Sequence, residues 1–293
     1  MEVCAAVIVR SPKNPHSHLT VKDRRWPSYP TKYLLAQGLI RGRVLDFGCG
    51  LGTDVAFLRS QGLDVTGYDP HYAPDLPTGR FDTILCHYVL NVLLPEEQAP
   101  VLMAVAELLA PDGVAYYTVR RDIVRAGFRS HTEHAGVKVY QCNVVLPFAS
   151  VLAAEHCEIY AYRHYTQQAH TDAPECPFCR PTPAYELLTE TATVYAVLVK
   201  APDAPLHALV IPKLHVADYF ALPEKVRTAC WLVVERVCGL LKARYGVEGV
   251  RVCVEMGMVG EQMAEHLCID VITQAGRSVF VPLDRMAAPT SQR

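Results

Sequence analysis

The chain has 293 residues, of which 51% are hydrophobic and 20% are charged. A single hydrophobic core usually divides at about this length, so the sequence predicts two domains. The net charge of −2 excludes a protein that is basic throughout, and there is no apolar run of the roughly 18 residues that a transmembrane helix needs.

The cysteines and the first residues indicate a reducing compartment. Eleven cysteines, an odd number, lie mostly within apolar segments, where thiols behave as small hydrophobic groups. The opening "MEVCAAVIVRSPKN" has a short apolar stretch that Arg10 ends, with no basic residue before it. We therefore expect a cytoplasmic protein that does not enter the membrane.

Positive charge is concentrated in two stretches, residues 10–43 and 120–138. Charge runs usually face solvent, so a solubilising surface is the interpretation that we favour. The alternative is that both stretches flank one cleft that binds phosphate groups.

The first half of the sequence alternates β-rich runs with segments of helical period. The runs are "RVLDFGC", "DVTGYD", "TILCHYV" and "VAYYTVR", and the clearest helical segment is "EEQAPVLMAVAELLAPDG". This alternation predicts an α/β domain with a parallel sheet and helices on both faces. Because ligands of such sheets bind beyond the carboxyl ends of the strands, we expect the site in the loops that follow these runs.

The loop "LDFGCGLGTD" follows the first predicted strand. Gly48, Gly50 and Gly52 leave room for a tight turn, so that a cofactor can lie against the main chain. Asp69 ends the next run, where a carboxylate can accept hydrogen bonds from both hydroxyls of a ribose. The glycine spacing is not the G-x-G-x-x-G of dinucleotide sites, and Asp46 would repel a pyrophosphate. The pattern favours an adenosine-type ligand with cationic groups.

Residues 30–165 resemble the class I S-adenosylmethionine-dependent methyltransferases, whose first motif is a hydrophobic residue followed by D-x-G-x-G-x-G. "TGYDP" and "LLAPDGVAYYTV" match the family as well. The resemblance implies a doubly wound, mostly parallel sheet and S-adenosylmethionine as the cofactor. The cofactor-binding residues that it implies are Asp46, Gly48, Cys49, Gly50, Gly52, Asp69 and Pro70.

The segment "CHYVLNVL", residues 86–93, occupies the place where substrate and methyl group meet in this family. His87 and Tyr88 are the candidate catalytic residues, since either can orient or deprotonate an acceptor. The alternative, which we favour, is that they close the sheet edge over the cofactor. Methyl transfer from an activated sulfonium depends mainly on positioning, so a base is optional.

The composition changes after "EIYAYRHY", where proline and small polar residues become frequent. This change predicts a domain boundary, and we place the domains at 1–168 and 169–293. The boundary region contains Cys176 and Cys179 in a Cys-x-x-Cys pair, a spacing that serves thiol exchange and zinc binding alike. A thioredoxin-like motif needs a preceding strand and a following helix, and the sequence predicts neither.

Strand-like runs around one long helical segment, 224–246, predict an antiparallel α+β domain in the second half. Here "CPFC", "HALVIPKLHV" and "GEQMAEHLCIDVI" resemble the histidine-triad (HIT) proteins over residues 174–275. The resemblance implies a zinc ion held by Cys176, Cys179, His215 and His266, a complete tetrahedral set that closes the site.

The sequence departs from that family at the triad itself. The family pattern is His-x-His-x-His, but this chain reads His266, Cys268 and Asp270 at the three positions. A thiol is a poor replacement for the nucleophilic histidine, and a carboxylate repels phosphate. We therefore expect that nucleotidyl chemistry is lost and that Cys268 is inert.

Together these patterns predict S-adenosylmethionine-dependent methyl transfer to an unidentified acceptor, with the HIT-like zinc domain aiding substrate or partner binding. The alternatives are a bifunctional enzyme with nucleotidyl or phosphate chemistry in the HIT-like domain, and a noncatalytic regulatory protein. A small-molecule or nucleotide-like substrate is the favoured partner, and nucleic acid bound through the two basic stretches is the alternative.

Overall fold

The computed structural model describes residues 13–168, 176–179, 185–199, 206–254 and 266–273. The proposed boundary between 168 and 169 falls at the edge of a described range and remains a prediction. Arg10 and the first part of the predicted "GEQMAEHLCIDVI" motif lie outside the described residues. Among the described residues, no helix combines the length and apolar character that crossing a bilayer requires.

The first domain is an α/β fold around a six-stranded sheet with the strand order β2-β1-β3-β4-β8-β7. Strands β1 to β4 are parallel, and β7 and β8 are antiparallel additions at one edge. The sheet strands are β1 Arg43–Phe47, β2 Asp64–Tyr68, β3 Phe81–His87, β4 Leu109–Arg120, β7 Ala149–Ala153 and β8 Cys157–Tyr162. The mostly parallel sheet of the sequence prediction is confirmed.

Helices cover both faces of this sheet. Helices α1 (Tyr29–Ala36) and α2 (Thr53–Ser60) pack on one face, and α3 (Pro95–Leu108) packs on the other. A two-stranded hairpin, β5 (Gly127–Ser130) and β6 (Lys138–Gln141), is inserted between β4 and β7. The domain therefore has the doubly wound layering that the strand and helix alternation predicts.

Helix α3 ends earlier than its sequence pattern predicts. Leu109, the last residue of the predicted apolar periodicity, opens β4 instead. Pro111 lacks the amide hydrogen that a helix needs, and Gly113 weakens the helix further. The chain therefore leaves the helix directly into the strand.

The second domain is an antiparallel five-stranded sheet with the order β12-β13-β11-β10-β9 and one long helix. Its elements are β9 Glu186–Glu190, β10 Val194–Val199, β11 His207–Pro212, α4 Glu224–Tyr245, β12 Val250–Val254 and β13 Ile269–Thr273. The apolar side of α4 covers one face of the sheet, and the segment 176–179 covers the other. This is the α+β domain that the sequence predicts.

Strand β13 begins at Ile269, within the "GEQMAEHLCIDVI" motif. His266, Leu267 and Cys268 precede the strand, and the Leu267 amide donates to the Val216 carbonyl at 2.6 Å rather than to a neighbouring strand. Cys268 is half-buried at this turn into the strand and not inside it.

The C-terminal part of helix α3 is buried on every side, because the second domain covers the side that faces away from the first sheet. Every residue of Val101–Leu108 is buried, including the charged Glu107. Met103 packs into the core of the second domain. A helix that is apolar all round is typical of a buried position between layers.

Two buried carboxylates join the domains. Glu107 accepts hydrogen bonds from Thr189 Oγ1 at 2.9 Å and from Arg236 Nε at 2.8 Å, and Arg236 contacts its second oxygen as well. Glu190 accepts from Tyr162 Oη and forms an ion pair with Lys213 Nζ, both at 2.5 Å. Both carboxylate side chains are fully buried. Their pairing fixes how the second domain lies against α3.

We predict that Glu107→Gln destabilises the protein by about 3 kcal/mol, because it leaves the Arg236 guanidinium without its buried counter-charge. The measurement is urea unfolding at neutral pH. Glu235→Gln changes an exposed residue next to Arg236 and is the matched control, with an expected effect within about 0.5 kcal/mol. Equal stabilities of the two variants would contradict the proposed role of Glu107.

Candidate functional site

The carboxyl ends of the parallel strands open into one cavity of about 740 Å³. The predicted cofactor residues that line it are Asp46, Gly48, Cys49, Gly50, Asp69 and Pro70, and His87 and Tyr88 line it as well. Gly52 does not line the cavity; it forms the left-handed turn before α2. The strand topology thus brings together residues from three separate segments, as the parallel sheet predicts.

The glycine loop is shaped by conformation and by close contacts. Gly48 and Gly50 have φ angles of 87° and 53°, where other residues are strained. A Cβ atom on Gly48 would lie 2.3 Å from Val89, and one on Gly50 would lie 2.8 Å from Val21. The amides of Gly48 and Cys49 donate to the Tyr68 carbonyl at 2.7 and 3.0 Å, which holds the loop against β2.

Asp46 is buried at the end of β1, and burial raises its pKa to about 8. The nearby carboxylates Asp54 and Asp69 contribute to this increase, and Arg24 opposes it. A carboxyl group in this position is stabilised as an anion by a cationic group placed in the cavity. The site is therefore suited to a positively charged ligand.

Asp69 is held as a preorganised carboxylate at the end of β2. Its Oδ1 accepts from the amides of His71 and Tyr72 at 2.9 and 3.1 Å, and its Oδ2 accepts from the Gly50 amide at 3.2 Å. Oδ2 therefore retains a lone pair for a ligand hydroxyl, whereas Oδ1 already accepts two hydrogen bonds. The contact with Gly50 also ties Asp69 to the glycine loop.

His87 ends β3 with its Nδ1 atom 2.7 Å from Thr118 Oγ1. Its Nε2 atom is buried and has no hydrogen-bond partner among the described residues. Burial is the main cause that lowers the pKa of His87 to about 4, so the imidazole is neutral at physiological pH. A buried polar atom without a partner at a cavity wall is a candidate contact for a ligand.

Tyr88 has a φ angle of 61° and is the one residue other than glycine with a positive φ in the described ranges. Its amide donates to the Thr118 carbonyl at 2.8 Å. Burial and the neighbouring Cys157 raise the pKa of its phenol, so the hydroxyl remains protonated. Strain of this kind is typical of residues that a fold positions for function.

The N-terminal cover of the cavity has no recognisable motif; it lies within the basic stretch 10–43, which the alternative interpretation places beside a cleft. Residues Ser17, His18, Thr20 and Val21 line it, and Asp54 anchors this segment. The Asp54 carboxylate accepts from the Ser28 amide at 2.6 Å and from Arg24 at 3.1 Å. Besides that stretch, the sequence signal for the cover is Asp54, the acidic residue that ends the glycine loop, whose partners lie 30 and 26 residues earlier.

A second buried atom without a partner lies under this cover. His18 Nδ1 is buried and makes no hydrogen bond to the described residues. The His18 ring stacks on His71, with ring centroids 4.1 Å apart, and both line the cavity beside Pro70. His18 is thus a ligand-contact candidate that motif analysis missed.

A separate group in the second domain is able to hold a metal ion. The ligand atoms of Cys176, Cys179, His215 and His266 lie within 4.8 Å of one another. The Nδ1 atom of His266 lies 3.3 Å from Cys176 Sγ and 3.4 Å from Cys179 Sγ. His266 Nε2 donates to the Pro212 carbonyl at 2.8 Å, which leaves Nδ1 free to bind a metal. The four residues that the HIT resemblance implies are therefore brought together.

The remaining triad positions form a different arrangement. Asp270 Oδ1 lies 2.7 Å from His207 Nε2, and Asp270 Oδ2 lies 4.0 Å from Cys268 Sγ. The carboxylate stands between the imidazole and the thiol, so the imidazole does not serve as the base for the thiol. This order differs from a cysteine-histidine-acid triad, in which the histidine lies beside the nucleophile.

Comparison with known families agrees with this architecture. Residues 22–172, just over half of the chain, match the family model described as "Methyltransferase domain", and residues 184–276 match the HIT domain. The chain therefore belongs to the methyltransferase domain family, and in it this domain is fused to a HIT domain.

Solved structures with partial similarity include HIT proteins. A histidine triad protein from Clostridium difficile is 24% identical, with 37% of this chain and 97% of that chain covered and a TM-score of 0.32. A hypothetical histidine triad nucleotide-binding protein from Sulfolobus tokodaii strain7 is 28% identical, with 35% and 71% covered and a TM-score of 0.32. No curated protein gives a significant match.

A third structure carries the description "Conversion of a Disulfide Bond into a Thioacetal Group during Echinomycin Biosynthesis". It is 27% identical to this chain, with 33% of this chain and 51% of that chain covered and a TM-score of 0.30.

We predict that Asp46 makes the unliganded protein less stable as pH rises. Its pKa is about 8 in the folded protein and near 3.8 in the unfolded chain, so the folded state binds more protons between these values. Stability from this group is present at low pH and is lost as pH rises through about 8, at up to about 1.4 kcal/mol per pH unit.

Urea unfolding of the wild type and of Asp46→Asn at pH 5, 6, 7 and 8 tests this prediction. The stability of the wild type relative to the variant should fall steadily across the series, because asparagine does not titrate. A constant difference between the two proteins would show that Asp46 is ionised throughout.

Proposed function

We propose that the protein is an S-adenosylmethionine-dependent methyltransferase whose second domain holds a structural zinc ion. One observation carries the first part: the glycine loop, the buried Asp46 and the preorganised Asp69 line a single cavity at the carboxyl ends of parallel strands. The match to the methyltransferase domain family supports the same conclusion.

The residues of the cavity fit the cofactor by charge and by space. Asp46 offers a carboxylate to the amino and sulfonium groups, and Asp69 offers the remaining lone pair of its Oδ2 atom to the ribose. Gly48 and Gly50 keep the loop free of side chains that would fill the cradle. His18 and Pro70 line the cavity where the resemblance places the adenine.

When bound, S-adenosylmethionine supplies a methyl group activated by its sulfonium sulfur. The chain then has to bind, orient and shield the reactants. The N-terminal cover shields the cavity from water, and Arg24 and Ser28 hold this cover on Asp54. Tyr88 remains a phenol and offers a hydrogen-bond donor at the wall.

His87 is the proposed proton acceptor. In the tautomer whose Nδ1–H donates to Thr118, its Nε2 atom carries a lone pair and has no competing partner. A pKa of about 4 keeps this lone pair available at neutral pH. The low pKa also makes His87 a weak base, which is sufficient for an acceptor that loses its proton as the methyl group arrives.

We predict that Asp69→Asn weakens S-adenosylmethionine binding by tenfold or more. Asparagine removes the charge from the hydrogen bond to ribose, which contributes about 1.5–3 kcal/mol. This variant is preferable to alanine, because the asparagine carbonyl still accepts from the amides of His71 and Tyr72. Calorimetric titration measures the affinity.

Asp64→Asn is the matched control, because Asp64 begins the strand β2 that ends just before Asp69 and its side chain is 75% exposed. Equal affinities of the two variants for the cofactor would show that Asp69 does not bind it. Transfer of label from methyl-labelled cofactor to metabolites, nucleotides, tRNA or DNA then tests catalysis. Tight cofactor binding without transfer to any class would favour the noncatalytic regulatory alternative.

The second-domain group fits zinc. Tetrahedral zinc with Zn–S near 2.3 Å and Zn–N near 2.0 Å requires ligand atoms roughly 3.3–3.8 Å apart. Here the distances from Nδ1 of His215 to Cys179 Sγ and to His266 Nδ1 are both 3.3 Å. Four protein ligands leave no open coordination position, so a zinc ion here stabilises the fold and does not activate water.

We predict one zinc ion per chain and a marked loss of stability in Cys176→Ser. The substitution removes a thiolate ligand, and structural zinc contributes apparent free energies on the order of 10 kcal/mol in small domains. Elemental analysis of protein purified without added metal and thermal unfolding with and without chelator provide the two measurements.

Cys230→Ser is a suitable control, since Cys230 is buried in the α4 core away from the four ligands. It should lower stability without changing the zinc content. A wild-type protein that is metal-free after purification under reducing conditions, with Cys176 and Cys179 joined in a disulfide, would contradict the zinc proposal.

We propose that the second domain does not transfer nucleotidyl groups by the mechanism of the HIT proteins. That mechanism needs a histidine nucleophile and positive or neutral donors around the phosphate. Asp270 places a carboxylate beside Cys268 instead. We therefore propose that the domain contributes through its metal site and its contact with α3, without phosphorus chemistry of its own.

A further inference from the structure

The cavity continues beyond the cofactor-binding loops to a wall that the β5–β6 hairpin supplies. The lining residues from this region are Arg129, Ser130, His131, Thr132, Val139 and Gln141. One of these side chains is apolar, whereas the others carry charge, hydroxyl, imidazole or amide groups. This composition suits a polar ligand group and not a hydrocarbon.

The hairpin is fixed against the N-terminal cover. His131 Nε2 donates to the Leu19 carbonyl at 2.9 Å, and its Nδ1 accepts from the amides of Glu133 and His134. Val139, directly across the hairpin from Arg129, is buried. The two basic stretches of the sequence thus meet over one cavity, and Arg129 is positioned on a wall with defined contacts.

Most of the charged groups that line the cavity have partners. Arg24 pairs with Asp54, and Arg120 makes two hydrogen bonds to Asp122, at 2.8 and 2.7 Å. Asp69 accepts three backbone amides. The two arginine pairs therefore leave no positive charge for a further ligand, and Asp69 belongs to the cofactor site.

Arg129 differs from these residues. Its guanidinium donates to the Arg125 carbonyl, and no carboxylate of the described residues lies within ion-pair distance of it. The side chain is half-buried. Lys22 also lacks a carboxylate partner in the described ranges, but it is exposed and follows Val21, which packs over the glycine loop. Lys22 is therefore placed toward the cofactor.

We propose that the methyl acceptor is a small molecule with a carboxylate or phosphate group, and that Arg129 binds this group. The inference rests on the proposed methyltransferase function and adds the chemical class of the acceptor. A planar guanidinium with free N–H groups matches both anions, through two parallel hydrogen bonds. Ser130, Thr132 and Gln141 offer further donors on the same wall.

The size of the cavity favours a small acceptor over a polymer. About 740 Å³ lies within the range of pockets that hold small molecules, and cofactor and acceptor must share it. The N-terminal cover and the hairpin also meet above it, through the contact of His131 with Leu19. An extended nucleic acid needs an open groove, which this contact closes.

The test uses the full-length protein saturated with S-adenosylhomocysteine, so that the cofactor site is filled. Inorganic phosphate and succinate are titrated separately at constant ionic strength and followed by calorimetry. We expect saturable binding of at least one probe to the wild type and binding at least tenfold weaker to Arg129→Gln. Arg125→Gln, an exposed arginine of the same region that does not line the cavity, should bind like the wild type.

S-adenosylhomocysteine affinity must be equal in the three proteins, which shows that the variants fold. Absence of saturable probe binding, or equal binding by Arg129→Gln, would overturn the inference while leaving the cofactor site intact. Single-stranded oligonucleotide binding that both arginine variants weaken equally would also overturn it and indicate a polyanion surface. Failure of the wild type to bind S-adenosylhomocysteine would overturn the methyltransferase proposal itself.

Discussion

The position of Glu107 determines how the two domains form one molecule. Its carboxylate is fully buried on α3, between Thr189 and Arg236 of the second domain. A buried carboxylate without a partner is strongly unfavourable, so the first domain has an exposed or unpaired acid at this point unless the second domain docks. Glu190 is the corresponding buried carboxylate of the second domain, and Tyr162 of the first domain donates a hydrogen bond to it. The pairing of charges therefore adds directional constraints to the apolar contact along α3.

Buried negative charge also organises the cavity. Asp46, Asp54 and Asp69 lie close enough for their charges to interact, and the three carboxyl groups have different surroundings. Asp54 is neutralised by Arg24 and anchors the N-terminal cover, and Asp69 is stabilised by three amides. Asp46 is stabilised neither by an ion pair nor by backbone amides, and burial therefore raises its pKa. The protein thus keeps a carboxyl group with a raised pKa at the place where a cationic ligand would stabilise its anion.

The second domain keeps the metal-binding residues that the HIT resemblance implies but not the catalytic triad. The four metal-binding residues are assembled with ligand distances that suit zinc, while the other triad positions are Cys268 and Asp270. His207 pairs with Asp270 and not with the thiol. A closed metal site stabilises a fold without needing a nucleophile, so loss of the triad leaves the structural role intact. The helix and sheet that cover α3 depend on that fold.

The sequence by itself determined the elements that rest on short-range chemistry: the glycine turn with Asp46 and Asp69, the alternation that forms the parallel sheet, and the Cys-x-x-Cys pair. These signals lie within a few residues or follow a regular period, so backbone conformation and side-chain type suffice to predict them. Only the tertiary structure decided that residues 13–28 and the β5–β6 hairpin cover the cavity, that Arg129 lines it, and that Glu107 is buried. His131 meets Leu19 over 112 residues, and Arg236 meets Glu107 over 129. Contacts at such separations depend on how the layers pack, and no local pattern records them.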